Sequence, residues 1–336
     1  MSSKSSEGAK HSILLSNCTA DVISNAAASL HFGALVAFPT ETVYGLGADA
    51  TNESAVAHIY RVKGRPADHP LIVHIGQLSQ LDQWAIDIPD YAIALARDFW
   101  PGPMTLILKR SEKAKDFITG GQDSVGIRIP ANPIALALLR EFAGGIAAPS
   151  ANRFGAISPT TAQAVKEEIG EFLDVHRDVI LDGGPSLVGV ESTIIECLED
   201  SPRILRPGAI TAEMIEKTTG LKIESSKSQT RASGLLDAHY APKAKVFLLD
   251  PINPVVACIA GVGFIAAANH PTPDGAIRLA APISDDEYAS GLYEALREGD
   301  RKNLPAIYVI PPAGDGVAIA IRDRLQRAAF EGGSLR

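Results

Sequence analysis

Between residues 33 and 182 the chain keeps returning to short apolar runs that are too brief for helices. They are 33–37, "LIVHI" at 71–75, "MTLIL" at 104–108, "VGIRI" at 125–129, "GIAA" at 145–148 and "DVILD" at 178–182. Apolar runs of this length bounded by turn residues read as strands. The stretches between them carry helical periodicity with end signals. Thr19 is placed to cap a helix whose apolar face holds Val22, Ile23, Ala26, Ala27 and Leu30, and Gly33 to end it. Thr51 or Asn52 starts a second helix carrying Ala55, Val56, Ile59 and Tyr60, which stops near Lys63-Gly64. Asn132 followed by Pro133 is an N-cap and first-turn pair for a third. Strands alternating with helices predict an α/β layer fold around a mixed sheet.

The N-terminal residues 1–16 read as a polar, disordered leader, and 17–221 as the first domain. Between 222 and 244 the chain turns Ser- and Lys-rich with little periodicity, which is a linker signal. Beyond it, "KVFLLD", "GFIAAA" and "AIYVI" are strand-like, while 285–298 and 316–330 are helix-like. Residues 245–336 therefore form a second, smaller α/β domain.

Composition excludes several classes. With 31 Lys+Arg against 39 Asp+Glu the net charge is −8, so the chain lacks the basic excess of a dedicated nucleic-acid binder. Cys18, Cys197 and Cys258 are too far apart for a zinc knuckle or a disulfide framework and fit a reducing, cytoplasmic setting. No apolar run is long enough to predict a membrane-spanning helix. No metal site is expected from the histidine and cysteine spacing.

"FPTETVYGLGADA" at 38–50 satisfies the loose G-x-G-x-x-[GA] pattern. A dinucleotide loop, however, puts its first glycine directly at the strand end, and here Pro39 to Gly45 intervene. The stretch reads instead as a hydroxyl-bearing surface loop, its glycines serving turns. Lys63 and Arg65 in "KGRPADHP" could meet a polyphosphate, although a helix C-terminus also favours cations. His74 and Arg128 interrupt otherwise apolar strands with period two. Buried arginine needs an anionic partner, either a structural carboxylate or the carboxylate of a substrate. "APSANRFGAISPT", "GVESTIIE" and "RILRPG" add hydroxyls and Arg206 near strand ends, where open α/β sheets bind ligands. There is no Walker loop and no nucleophile elbow.

"FPTETVYGLG", "KGRPADHPLIVHI", "WPGPMTLIL", "VGIRIP", "PSAN", "SPT", "GVESTI" and "ILRPG" follow one another in that order. Together they resemble the L-threonylcarbamoyladenylate synthase family over roughly residues 17–220. "HYAP" at 239–242, followed by a small domain, resembles its long, two-domain form. The resemblance implies a YrdC-like twisted open mixed sheet with a concave, positively charged pocket, and a Rossmann-like second domain. It implies synthesis of threonylcarbamoyl-AMP and pyrophosphate from L-threonine, bicarbonate and ATP, with Mg²⁺ accompanying ATP and no organic cofactor. A downstream tRNA threonylcarbamoyl transferase complex would carry the group to adenosine 37 of tRNAs reading ANN codons. By the same resemblance Thr42, His74, Arg128, Ser150 and Ser192 would hold threonine. Lys63, Arg65, His69, Ser124, Asn152, Ser158 and Arg206 would serve ATP, with His239 or Tyr240 closing over the nucleotide. Two rivals stand beside this reading. The carbamoyl transferase of hydrogenase maturation is much longer and has zinc fingers that this chain lacks. A non-catalytic RNA-binding module is disfavoured by the net charge, while a weak RNA contact stays compatible with the concave pocket that the resemblance implies.

Overall fold

A computed structural model describes residues 14–15, 17–225, 227–234, 240–250 and 260–330. His239 and Cys258 lie outside the described residues, as does the leader apart from its end. That end is not leader: Leu14–Leu15 adds a short edge strand parallel to Val179–Leu181, because two adjacent leucines have a sheet edge to cover.

Among the described residues, ten strands make one mixed sheet. From edge to edge they are Leu14–Leu15, Val179–Leu181, Val36–Phe38, Gly45–Asp49, Ile146–Ala147, Ile72–His74, Ser124–Arg128, Met104–Lys109, Thr193–Glu196 and Arg203–Arg206. Each apolar run in the sequence becomes one of them.

The helices start where capping chemistry places them. Thr19 accepts from Val22 N at the head of Ala20–His31, and Asn52 accepts from Ala55 N at the head of Glu53–Lys63. Gly64 ends the second helix in the left-handed conformation, φ 62°. Asn132 accepts from Ile134 N and Ala135 N, with Pro133 as the first residue of Pro133–Phe142. Ala20–His31 and Pro133–Phe142 bury Ile23, Leu30, Leu138 and Leu139 against one part of the sheet, with Val36, Phe38 and Ile146. Glu53–Lys63 and Asp90–Phe99 contribute Ile59 and Leu95 to the main core.

Period-two alternation divides the central strands. Leu71, Val73 and Ile75 enter the main core, as do Val125, Ile127 and Ile129. Ile72 and His74 therefore face the other way, level with Gly126 and Arg128 of the parallel neighbour. That face carries the site.

The stretch 38–50 departs from expectation in two respects. The segment from Thr40 to Tyr44 is buried, and Gly45–Asp49 is a strand antiparallel to Val36–Phe38. Its glycines do not make turns. A Cβ on Gly47 would stand 2.7 Å from Ile146 Cγ2 and 2.8 Å from the Phe38 ring, so glycine is needed for close packing.

The second domain has a parallel sheet in the order Lys245–Leu248, Ala306–Val309, Gly263–Ile265, Ile277–Ala280, packed with helices Asp285–Arg301 and Val317–Ala328. Its core is continuous with the first domain: Val43, Ile157 and Val190 join the same apolar cluster as Leu292, Tyr293 and Leu296.

Gly47→Ala should cost about 1–3 kcal/mol of stability by overpacking. Urea unfolding monitored by circular dichroism would read it, and an unchanged midpoint would show that Phe38 and Ile146 yield freely.

Candidate active site

A cavity opens on the face bearing Ile72 and His74. It reaches from His74 and Arg128 at the ends of their strands across to Gly45 and Ser150. The ligand space thus crosses the sheet face and is not confined to the strands' carboxyl ends.

Thr40 organises the hydroxyl loop. Its Oγ1 donates to Val43 O at 2.6 Å, accepts from Thr42 N and Val43 N, and lies 2.9 Å from Thr42 Oγ1. Ser186 Oγ donates to Thr40 O, and Val188 N donates to Glu41 O. Tyr44 OH donates to Gly184 O at 2.7 Å and accepts from Gly183 N. The loop is tied down at both ends, so Thr42, 0% exposed, is held against the cavity wall.

Arg128 has the structural carboxylate that was one of the two alternatives left open by the sequence. Nη2 donates to Glu41 Oε1 at 2.6 Å and Nε to Gly102 O at 3.3 Å, so a structural carboxylate is present. Its guanidinium nevertheless lines the cavity. Glu41 is anchored further by Ala131 N at 2.9 Å. His74 sits beside Arg128 in register, with its ring edge-on to Phe38. Burial, and then the Arg128 charge, push the His74 pKa down to about 3, so the imidazole is neutral in the native protein at ordinary pH.

Ser192 and Arg206 form the opposite wall. Arg206 Nε donates to Ser192 O at 3.1 Å and Nη2 to Ser192 Oγ at 3.1 Å, while Thr105 Oγ1 lies 2.8 Å from Ser192 Oγ. The linker closes this side. Arg206 Nη1 donates to Ser233 O, Arg65 Nη2 donates to Ser233 Oγ, and Gly234 and Tyr240 complete the lining. Arg65 lies 5.6 Å from the Phe154 ring centre. Burial lowers its pKa to about 10, which leaves it charged at neutral pH.

All five residues expected on the threonine side, Thr42, His74, Arg128, Ser150 and Ser192, line this one cavity. Of those expected on the ATP side, Arg65, Arg206 and Tyr240 do so. The others stand back from it. Lys63 is buried, with Nζ donating to Ser150 O at 2.6 Å and to Asn152 O at 2.5 Å, so it braces the "PSAN" turn. Burial, and then Arg65, push its pKa well below the usual lysine range. Asn152 spends its amide on Arg153 O and Ala156 O. Ser158 is fully buried, and His69 packs edge-on to Phe154. Ser124 borders a smaller neighbouring cavity under the linker.

Thr40, Glu41, Tyr44 and Glu191 were not singled out from the sequence, although each sits inside a motif that was. Arg324 and Tyr293 of the second domain were missed outright. Glu191 lines the cavity, and both of these residues bind its Oε2, at 2.7 and 2.8 Å. A signal for Arg324 existed: it shares helical spacing with the buried Ile321, Leu325 and Ala328.

Comparison with known proteins decides the family. Residues 28–208 match the Sua5/YciO/YrdC domain family, described as telomere recombination. Residues 210–330 match the C-terminal domain of threonylcarbamoyl-AMP synthase. The chain belongs to the threonylcarbamoyl-AMP synthase family, in its long two-domain form. The family's members are nucleotidyl-transferring enzymes. The threonylcarbamoyl-AMP synthase of Pyrococcus abyssi is 40% identical, over 90% of this chain and 93% of its own length. That of Bacillus subtilis is 39% identical, over 91% and 92%. The crystal structure of P. abyssi Sua5 complexed with L-threonine superposes with a TM-score of 0.86 at 38% identity, covering 97% of this chain and all of that one. No described helix is long and apolar enough to cross a membrane.

The neutral His74 gives a stability signature. Between its folded pKa of about 3 and the ordinary 6.5, the unfolded chain binds a proton that the native protein refuses. Stability therefore falls as pH drops below 6.5, by up to about 1.4 kcal/mol per pH unit for one proton. His69, lowered by burial and Arg65, acts with the same sign, whereas Glu191, held at about 2, acts only below its ordinary 4.5. His74→Gln should flatten the slope of unfolding free energy between pH 4.5 and 6.5. An unaltered slope would mean that the native imidazole is protonated.

Proposed function

We propose that this chain condenses L-threonine, bicarbonate and ATP into L-threonylcarbamoyl-AMP, releasing pyrophosphate. The observation that carries the reading is the convergence of Arg65, Arg128 and Arg206 with the hydroxyls of Thr42, Ser150 and Ser192 on one sheet face. Support also comes from a relative of 38% identity whose structure holds L-threonine.

The chemistry suits such a cavity. Threonine's amine and bicarbonate give a carbamate and water. A carbamate oxygen then attacks the α-phosphorus of ATP. The new O–P bond forms as the bond from the α-phosphorus to the bridging oxygen breaks, and its electron pair leaves with pyrophosphate. This step needs positioning and neutralisation of charge, with no covalent enzyme intermediate. Arg128, with Nη2 and Nε already committed to Glu41 and Gly102, turns its remaining edge to threonine's carboxylate. The neutral His74 supplies a hydrogen bond without adding charge, and Ser150 and Ser192 orient the amino acid. Arg65 and Arg206 balance the phosphates, and Tyr240 of the linker covers them. Lys63 and Asn152 contribute by shaping the turn that carries Ser150.

Magnesium would enter with the triphosphate. The nearby carboxylates are already taken, Glu41 by Arg128 and Ala131 N, Glu191 by Arg324 and Tyr293. That donor set does not fit a resident cation. The product would pass to a tRNA threonylcarbamoyl transferase complex acting on adenosine 37 of tRNAs that read ANN codons, in the cytoplasm.

The test is pyrophosphate release in bicarbonate buffer with and without L-threonine, followed by mass analysis. Release that requires threonine, with a threonylcarbamoyl adenylate present, is expected; release indifferent to threonine would overturn the reading. Arg128→Lys keeps a cation beside Glu41 but loses the planar fork. It should raise the KM for threonine about tenfold while moving that for ATP by less than about twofold. Equal shifts in both would remove Arg128 from the threonine side.

A further inference from the structure

The second domain reaches the cavity wall through two side chains. Arg324, 0% exposed, leaves the helix Val317–Ala328 and grips three atoms of the first domain. Its Nε donates to Glu191 Oε2 at 2.7 Å, and its Nη2 to Glu191 O at 3.4 Å and Pro207 O at 3.0 Å. Its Nη1 is held by Asp323 at 2.6 Å, which fixes the plane of the guanidinium. Tyr293, from the helix Asp285–Arg301, donates to the same Glu191 oxygen at 2.8 Å. Glu191 and Pro207 are the chain neighbours of Ser192 and Arg206, the two cavity residues that bond each other. One guanidinium thus clamps both strands of that wall from behind.

A separate observation agrees. Gly189, two residues before Glu191, has φ +76°, and a Cβ there would lie 2.4 Å from Ser290 Cα. The backbone leading into the wall is pressed directly onto a helix of the second domain, and only glycine fits.

We infer that Arg324 and Tyr293 are positioning residues for the synthetase reaction, and that the second domain acts in catalysis by holding Ser192 and Arg206 in place through Glu191 and Pro207. The inference rests on the reaction proposed above. Without the clamp, Glu191 is left as a buried charge beside the substrate cavity that has lost its strongest partner, and the wall loses its backing.

The experiment compares the full-length protein with Tyr293→Phe, Arg324→Met and, as a control, Arg301→Ala. Arg301 joins the domains through Glu167 at the half-exposed rim and touches neither Glu191 nor the cavity. For each protein, kcat and both KM values are measured for threonylcarbamoyl adenylate formation, together with Tm and L-threonine binding by calorimetry. Tyr293→Phe should weaken threonine use about two- to fivefold and Arg324→Met about tenfold or more, while Arg301→Ala matches the parent. Hydrogen exchange should rise at residues 190–194 in the Arg324 variant. A lowered Tm with kcat, KM and threonine binding unchanged would reduce the clamp to a structural contact and overturn the inference. Should Arg324→Met fail to fold, the milder Tyr293→Phe decides the matter alone. A parent protein that forms no adenylate would overturn the reaction itself, an outcome distinct from variants that simply match an active parent.

Discussion

Two buried carboxylates flank the cavity, and the arrangement around it depends on how they are neutralised. Glu41 is met by Arg128 and Glu191 by Arg324, across 87 and 133 residues of chain respectively. Removing one partner of such a pair typically costs about 3–5 kcal/mol, because the other is left charged and dry. The first pair requires the hydroxyl loop to lie against the strand Ser124–Arg128. The second requires the two domains to dock. Each pair therefore acts as a registry constraint: only the assembled tertiary structure leaves neither charge stranded. Burial opposes ionisation of Glu191, yet Arg324 and then Arg206 hold its pKa at about 2, so it stays an anion throughout the working range.

The consequence for the site is rigidity supplied from outside it. Thr40 staples the loop, Lys63 braces the "PSAN" turn and Arg324 backs the Ser192–Arg206 wall. Lys63 and Arg324 thus hold cavity residues from behind, while Thr40 does so from the lining itself. Gly45 lines the cavity, and a Cβ there would stand 3.2 Å from the Phe38 ring and 3.4 Å from Ala148 Cβ, so glycine lets the strand pack closely beneath the site. The net charge of −8 belongs to the whole molecule and hides three arginines gathered at one place.

Much of the fold was legible because its signals are local. Thr19, Asn52 and Asn132 cap the helices at whose heads they stand, and the alternation in "LIVHI" and "VGIRI" correctly separates core from cavity. The helices Asp90–Phe99, Ala162–Ile169 and Ala212–Thr219 were not singled out, being short and, in the first, opened by Pro89 without a side-chain cap. The hydroxyl loop was expected at the surface because its composition is polar. It is buried because Thr40, Glu41 and Tyr44 satisfy their polar atoms against segments more than a hundred residues away as well as against their own backbone.

By itself the sequence determined the alternating α/β plan, since period, capping and turn chemistry act over a few residues, whereas the residues that line the cavity were named through the ordered motifs that resemble the family. Tertiary structure alone decided that Arg128 has a structural carboxylate while lining the cavity, and that Lys63 braces a turn behind the cavity wall. It also decided that a second-domain arginine bonds Glu191 and Pro207 behind the wall that holds Ser192 and Arg206. Those outcomes turn on which distant charge or carbonyl arrives within hydrogen-bond reach, and that distance is set by sheet order and domain docking.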